Sequence, residues 1–271
     1  IHVGGSAHNL LDDQVQEEYL SRVLECDYDI VILSPPCGSW SRANWANNDR
    51  PAPCRDKDNP WGFQHNRAGQ RKRAELGNAF VHFSIRAIVA AQSAKARGHQ
   101  VRCLLEHPED LGRVGRHAFH QGIPASIWQL PAIRAILKLS PDFFTVVGHQ
   151  CQFEVDYSKP TRLLSDIAGL EAFGITGWPV MDANDWYVGP LPRCGHVHNN
   201  PTVGQKDDGS GFNSSAKANY PQEMCAFIAL HMFEDWHRRA CAPSGGGGTS
   251  SSRTVQETQQ DTPRPAALRK R

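Results

Sequence analysis

Cys37 is the residue whose setting most suggests chemistry. It follows two prolines in Ser34-Pro35-Pro36-Cys37, at the abrupt end of the apolar run Asp29-Ile30-Val31-Ile32-Leu33. Each proline locks φ and removes a backbone donor, so the thiol is presented at a rigid spot as the chain leaves a strand. A thiolate there is a nucleophile if a nearby positive charge or helix terminus lowers its pKa; otherwise Cys37 is a packing residue at a proline turn. Glu106 is the second such residue. It opens the polar group Glu106-His107-Pro108-Glu109-Asp110 after the apolar run Val101 to Leu105. If the two runs are neighbouring parallel strands, the acid and the thiol fall at the same sheet edge, where ligands of open α/β sheets sit.

The elements that must hold these groups follow from periodicity. Gln14 to Glu25 has helical apolar spacing at Val15, Tyr19, Val23 and Leu24, and Ala74 to Arg97 repeats it with Phe80, Phe83, Ile85, Ile88 and Val89, with Gly98 as the stop. A helix is expected over about Ser126 to Leu139. The runs Phe143 to Gly148 and Cys151 to Val155 are close enough to pair as a hairpin, and a last helix spans about Pro221 to Arg239. The order β-α-β-α-β-β predicts a three-layer α/β domain with a mainly parallel sheet and an antiparallel strand near its end.

The motif Ile30 to Ser41, Ile-Val-Ile-Leu-Ser-Pro-Pro-Cys-Gly-Ser-Trp-Ser, resembles the Pro-Cys nucleophile motif of the DNA cytosine-5 methyltransferases. Leu104-Leu105-Glu106-His107-Pro108 is similar to that family's Glu-Asn-Val motif, with His in place of Asn. The resemblance implies a Rossmann-like class I methyltransferase fold and S-adenosyl-L-methionine as cofactor. It also implies a flipped cytosine, attack of Cys37 at C6, Glu106 bonding N3, and methyl transfer to C5; Pro36 belongs to the nucleophile motif. It further implies cofactor contacts from Pro35 and, from the segment opening the last helix, Asn219 and Tyr220. Lys159 and Arg162 stand where the family has a Gln-x-Arg-x-Arg motif, Arg162 on the catalytic side and Lys159 toward nucleic acid. The family's Phe-x-Gly-x-Gly cofactor loop is not found ahead of Pro35, and Gly4-Gly5 does not match it. That loop is expected upstream of Ile1, the alternative being its loss. The combined pattern also resembles methyltransferase-like segments of protist mobile-element polyproteins.

Partners are read from local charge, because Lys plus Arg at 29 against Asp plus Glu at 28 leaves a net charge of +1. Between the two motif strands the bases Arg42, Arg50, Arg55, Lys57, Arg67, Arg71, Lys72 and Arg73 outnumber Asp49, Asp56 and Asp58, with Trp40, Trp45, Trp61 and Phe63 among them. Such residues contact phosphates and stack on unstacked bases, so Ser41, Arg42, Arg50 and Arg55 are expected to face DNA, RNA being the alternative; a solvated loop with packed tryptophans reads the same stretch structurally. A fold without catalysis, binding nucleic acid or serving a structural role, and a thiol hydrolase using Cys37 and a histidine are the competing readings. Cys194-Gly195-His196-Val197-His198 is the other dense cluster. Its spacing fits neither common zinc pattern, so it is read as a polar loop without metal, with Cys151 or His149 the residues that would complete a site.

No apolar stretch reaches the roughly 20 residues that span a bilayer, and no disulfide scaffold is expected from eight scattered cysteines. The chain is expected to be intracellular. Ala242 to Arg271, rich in Gly, Ser and Pro, is expected to be a disordered tail after a domain of residues 1–241, and its basic end Leu268-Arg269-Lys270-Arg271 would suit a nuclear signal or a nucleic-acid arm.

Overall fold

The computed structural model describes residues 5–46, 51–200, 213 and 217–241. Its contacts divide the chain into one unit of Ile1–Ala240 and a second of Cys241–Arg271. The expected tail lies outside the described residues. Among the described residues no helix is long and apolar enough to cross a membrane.

Helix α1, Asp13–Leu24, is capped by Asp12, whose side chain accepts from the Gln14 backbone N–H at 2.9 Å. It leads to strand β1, Ile30–Leu33. Helix α2, Ala68–Ala96, begins six residues before the expected Ala74. Its first turns are polar and exposed, so apolar spacing cannot reveal them; the Gln70 side chain accepts from the Arg67 backbone N–H at 3.1 Å and closes that end. Strand β2, Arg102–Pro108, runs through Glu106 and His107 rather than ending before them. Helix α3, Pro131–Leu139, starts at a proline, and strand β3 is Phe144–His149.

The hairpin expected from Cys151 to Val155 does not form. Gln150–Phe153 is a 3-10 turn, and β3 pairs instead with β4, Pro160–Ser165, where Lys159-Pro160-Thr161 opens a strand. Short strands follow: β5, Ile175–Thr176; β6, Val180–Met181; and β7, Tyr187–Gly189. Helix α4, Gln222–Ala240, closes the described chain apart from Cys241.

The main sheet has the order β1-β2-β4-β3-β5, with β6 and β7 forming a separate pair. Only β1 and β2 pair in parallel, and the other three pairings are antiparallel. The sheet is therefore mixed, not mainly parallel. Because β4 opposes both β2 and β3, those two strands share a direction although they never touch. Helices cover both faces: α1, α2 and α3 bury Val23, Ile88 and Ile133 against Cys103 and Leu105, while α4 packs Met224 and Phe227 on Leu104, Val146 and Leu163. β1 lies at the edge, and Ile32 is 56% exposed. Its run of apolar residues reads as a strand covered on both sides, but that pattern does not report position in the sheet.

A charged pair sits inside this sheet. Arg162 of β4 is fully buried, with Nε donating to Glu109 Oε2 at 2.5 Å and Nη2 to Oε1 at 2.8 Å. Its Nη1 donates to Thr145 Oγ1 at 2.8 Å and to the Gly177 carbonyl. Breaking a buried, hydrogen-bonded ion pair strands the surviving charge. Arg162→Met should cost about 3–5 kcal/mol in urea unfolding, and adding Glu109→Leu should restore most of it.

Candidate active site

A cleft of about 900 Å³ opens at the carboxyl edge of β1 and β2 and is lined by Pro35, Pro36, Cys37, Glu106, Lys159 and Tyr220, among others. The topology explains the gathering. Parallel pairing of Leu33 with Leu105 brings the ends of both strands to one edge, and antiparallel β4, pairing Thr161 with Pro108, begins at that same edge and delivers Lys159. Alternation along β2 then sorts the side chains. Leu104 and Glu106 face the α4 side, while Cys103, Leu105 and His107 face the other.

Glu106 is buried, and its Oε2 accepts from Ser34 Oγ at 3.0 Å and from the Tyr220 hydroxyl. Ser34 and Tyr220 also share a hydrogen bond with each other. Both contacts to the carboxyl end on Oε2. Burial pushes the Glu106 carboxyl above its ordinary range, against the hydrogen bond from Tyr220, the charge of Lys159 and the hydrogen bond from Ser34. Tyr220, raised by burial and by Glu106, stays a phenol.

Cys37 is partly exposed in the cleft. Burial pushes its thiol up, Lys159 pulls it down, and Glu106 pushes it up again. Lys159 is positioned by donating Nζ to the Lys217 carbonyl at 3.1 Å, and lies 5.3 Å from the Tyr220 ring centroid. The turn after Cys37 closes with Trp40 N–H donating to the Cys37 carbonyl at 3.0 Å. It packs onto α2 at Gly77, where a Cβ would come within 2.2 Å of Ser39 Oγ. Gly77 is thus required by the close approach of the nucleophile turn.

The other expected site residues divide. Ser41 lines the cleft and caps the 3-10 turn Arg42–Trp45, its side chain accepting from the Ala43 N–H at 3.2 Å. Arg42 also lines it, but its guanidinium is spent on backbone carbonyls, Leu111 at 2.9 Å and Arg113 at 2.7 Å among them. Arg55 faces no solvent. Its guanidinium bonds the Pro60 carbonyl at 2.6 Å, Asn78 at 2.8 Å, Ser39 at 3.0 Å and the Ala74 carbonyl at 2.8 Å, and stacks 3.8 Å over Trp40. Trp40 and Trp45 are buried, so neither offers a stacking face. Asn219 is exposed and does not line the cleft. Arg162 is the buried partner of Glu109 and does not line the cleft either. Arg50 lies outside the described residues.

His107, placed beside Glu106 in sequence, points to the opposite face. It lies edge-on to Trp128 with ring centroids 6.3 Å apart, and burial lowers its pKa to about 3, which keeps it neutral. It does not orient Glu106. Sequence reasoning missed Ser34, which shares a hydrogen-bond triangle with Glu106 and Tyr220, and the rim loop that carries Gly115 and Ala118 into the cleft wall beside Arg116 and the 57% exposed Phe119. A hydroxyl immediately before the two prolines was the available signal for Ser34.

No family model, no curated protein and no solved structure matches the chain.

The raised carboxyl has a thermodynamic consequence. A Glu106 pKa higher in the folded chain than in the unfolded one means the folded state holds the extra proton. Its contribution is fully present below the unfolded value and is lost as pH rises through the folded one. Glu106→Gln keeps an acceptor for Ser34 and Tyr220 and removes the ionisation. The variant should melt at a higher temperature than the parent at pH 8, with the gap shrinking toward pH 4, as read by calorimetry.

Proposed function

We propose that the cleft captures a cytosine of nucleic acid, with Cys37 as nucleophile and Glu106 as the acid that holds N3, and that this capture activates C5. The observation that carries the reading is the convergence in one cleft of a thiol at a proline-fixed turn, a buried carboxyl whose pKa burial raises, and Lys159, whose charge pulls the thiol pKa down against its burial. A protonated carboxyl is the form that can donate to an unprotonated ring nitrogen. An unstacked base must reach such a site, and the chain carries exposed Arg67, Arg71, Lys72 and Arg116, with exposed Phe119, side chains of the kind that meet phosphates and bases. Arg42 and Arg55 take no part, their guanidinium donors being spent internally.

The chemistry balances without a cofactor as far as the adduct. The thiol proton leaves to water, the sulfur lone pair forms the bond to C6, and the C5–C6 pair becomes an enamine polarised through N3 toward Glu106. C5 then takes a proton from water. Loss of the original C5 hydrogen and expulsion of the thiolate restore the ring with hydrogen exchanged.

S-adenosyl-L-methionine is the methyl source the resemblance implies, but the described residues do not fit it. The Tyr220 hydroxyl is committed to Glu106 and Ser34, and Asn219 lies off the cleft, leaving only Pro35 of the expected contacts at hand. The capture itself is open to test: the chain should release tritium from 5-tritiated cytosine in single-stranded DNA without added cofactor. Cys37→Ser should abolish release, and Glu106→Gln should slow it about a hundredfold or more. Binding of DNA with no release, and with Cys37→Ser equal to the parent, would favour a fold that binds nucleic acid without catalysis.

A further inference from the structure

We propose that Cys151, Cys194, His196 and His198 form a zinc site that pins the segment carrying Lys159. These four residues come from two separate stretches, the 3-10 turn after β3 and the loop after β7, and their ligand atoms all lie within 4.8 Å of one another. Sequence spacing alone argued against metal, because Cys-x-His-x-His lacks the usual gaps and the fourth ligand is distant in the chain. The fold supplies Cys151, and His149, the alternative fourth ligand, is turned elsewhere, with Nε2 near the Pro192 carbonyl at 2.9 Å and Nδ1 near Ser158 Oγ at 3.2 Å.

The geometry is that of a metal cage rather than a hydrogen-bond cluster. Three groups converge on the Cys194 sulfur: Cys151 Sγ, His196 Nδ1 and His198 Nε2, each at 3.2 Å. A thiol carries one proton and its sulfur is only a weak donor and a weak acceptor, so it is a poor hub for three hydrogen bonds. Zinc with bonds of about 2.3 Å to sulfur and about 2.0–2.1 Å to nitrogen, arranged tetrahedrally, sets neighbouring ligand atoms roughly 3.3–3.8 Å apart. The observed spacing brackets that range. Two thiolates also neutralise a divalent cation, and two sulfurs with two imidazoles match the softness zinc takes in closed structural sites.

A second observation lies just outside the four ligands. Asp156 Oδ1 stands 3.8 Å from His198 Nδ1, the ring nitrogen not aimed at Cys194, and accepts from the Asn199 backbone N–H at 3.1 Å. A carboxylate on the far nitrogen of a histidine is the usual way a ligating imidazole is oriented. With four protein ligands no open position remains, so the site is structural. Its effect is transmitted through Asp156 and Tyr157 to Ser158 and Lys159, both of which line the cleft. This inference does not rest on the proposed reaction.

The test is metal analysis of the full chain expressed with zinc and purified with a mild reductant. About one zinc per chain is expected. It should be lost in Cys194→Ser and His198→Ala and retained in Cys225→Ser, whose thiol is exposed. Because the first two variants could misfold, the parent chain is also loaded with cobalt(II), which should give the absorption of a tetrahedral centre with thiolate charge transfer. Absence of zinc, an octahedral cobalt spectrum, a Cys151–Cys194 disulfide under those conditions, or a folded Cys194→Ser chain that keeps its zinc would each overturn the proposal.

Discussion

The cleft is organised by the removal of one carboxyl from water. Glu106 sits at the end of the strand between β1 and β4, and Ser34 from the end of β1 and Tyr220 from the approach to α4 both spend hydroxyls on its Oε2. An unpartnered buried polar group costs free energy, so each of these three side chains fixes the other two. That triangle ties the β1 terminus, the β2 terminus and the start of α4 into one wall. Cys37 follows Ser34 by three residues across two prolines, so its position is inherited from the same lock.

The second constraint is how the cations are used. A net charge of +1 suggested that any nucleic-acid surface must be local, and the basic loop before α2 was its expected place. The fold draws two of those bases inward. Arg55 holds the loop to α2 through hydrogen bonds to Asn78 and the Ala74 carbonyl while bonding Pro60 and Ser39 and stacking on Trp40 within the loop, and Arg42 holds it to residues 111–113. Guanidinium groups suit this task, since their rigid fan of donors satisfies several carbonyls at once. Basic composition in a loop thus counts both charges that meet a ligand and charges that build the wall around it.

Much of the architecture was legible because it rests on local patterns. The four helices, the strands β1 and β2, and the sharing of one edge by Cys37 and Glu106 follow from apolar periodicity and proline punctuation. Pairing was less legible. The run from Cys151 to Val155 is near β3 in sequence, but β4 answers β3 with a full six-residue register that includes the Arg162 charge, bonded to Glu109 from beyond β2. A pattern confined to neighbours cannot see that partner. The same limit made Arg162 look like a site residue. The edge position of β1 was hidden too, since the run Ile30–Leu33 would suit an interior strand equally well.

Lys159 carries the main electrostatic tension of the proposed site. The reaction needs a thiolate at Cys37 and a proton on Glu106, and one positive charge favours ionisation of both. Burial opposes ionisation of both as well, so neither influence separates the two groups by itself. Their surroundings do. Glu106 is buried behind Ser34 and Tyr220, where the penalty for a charge is large, while Cys37 remains partly exposed. A flat, neutral base entering the cleft displaces water from both groups, which strengthens the proton's hold on Glu106 and leaves Lys159 as the main compensation for a thiolate. The placement of Lys159 immediately ahead of an antiparallel strand is therefore more than a topological detail. It puts one cation where its charge reaches both groups.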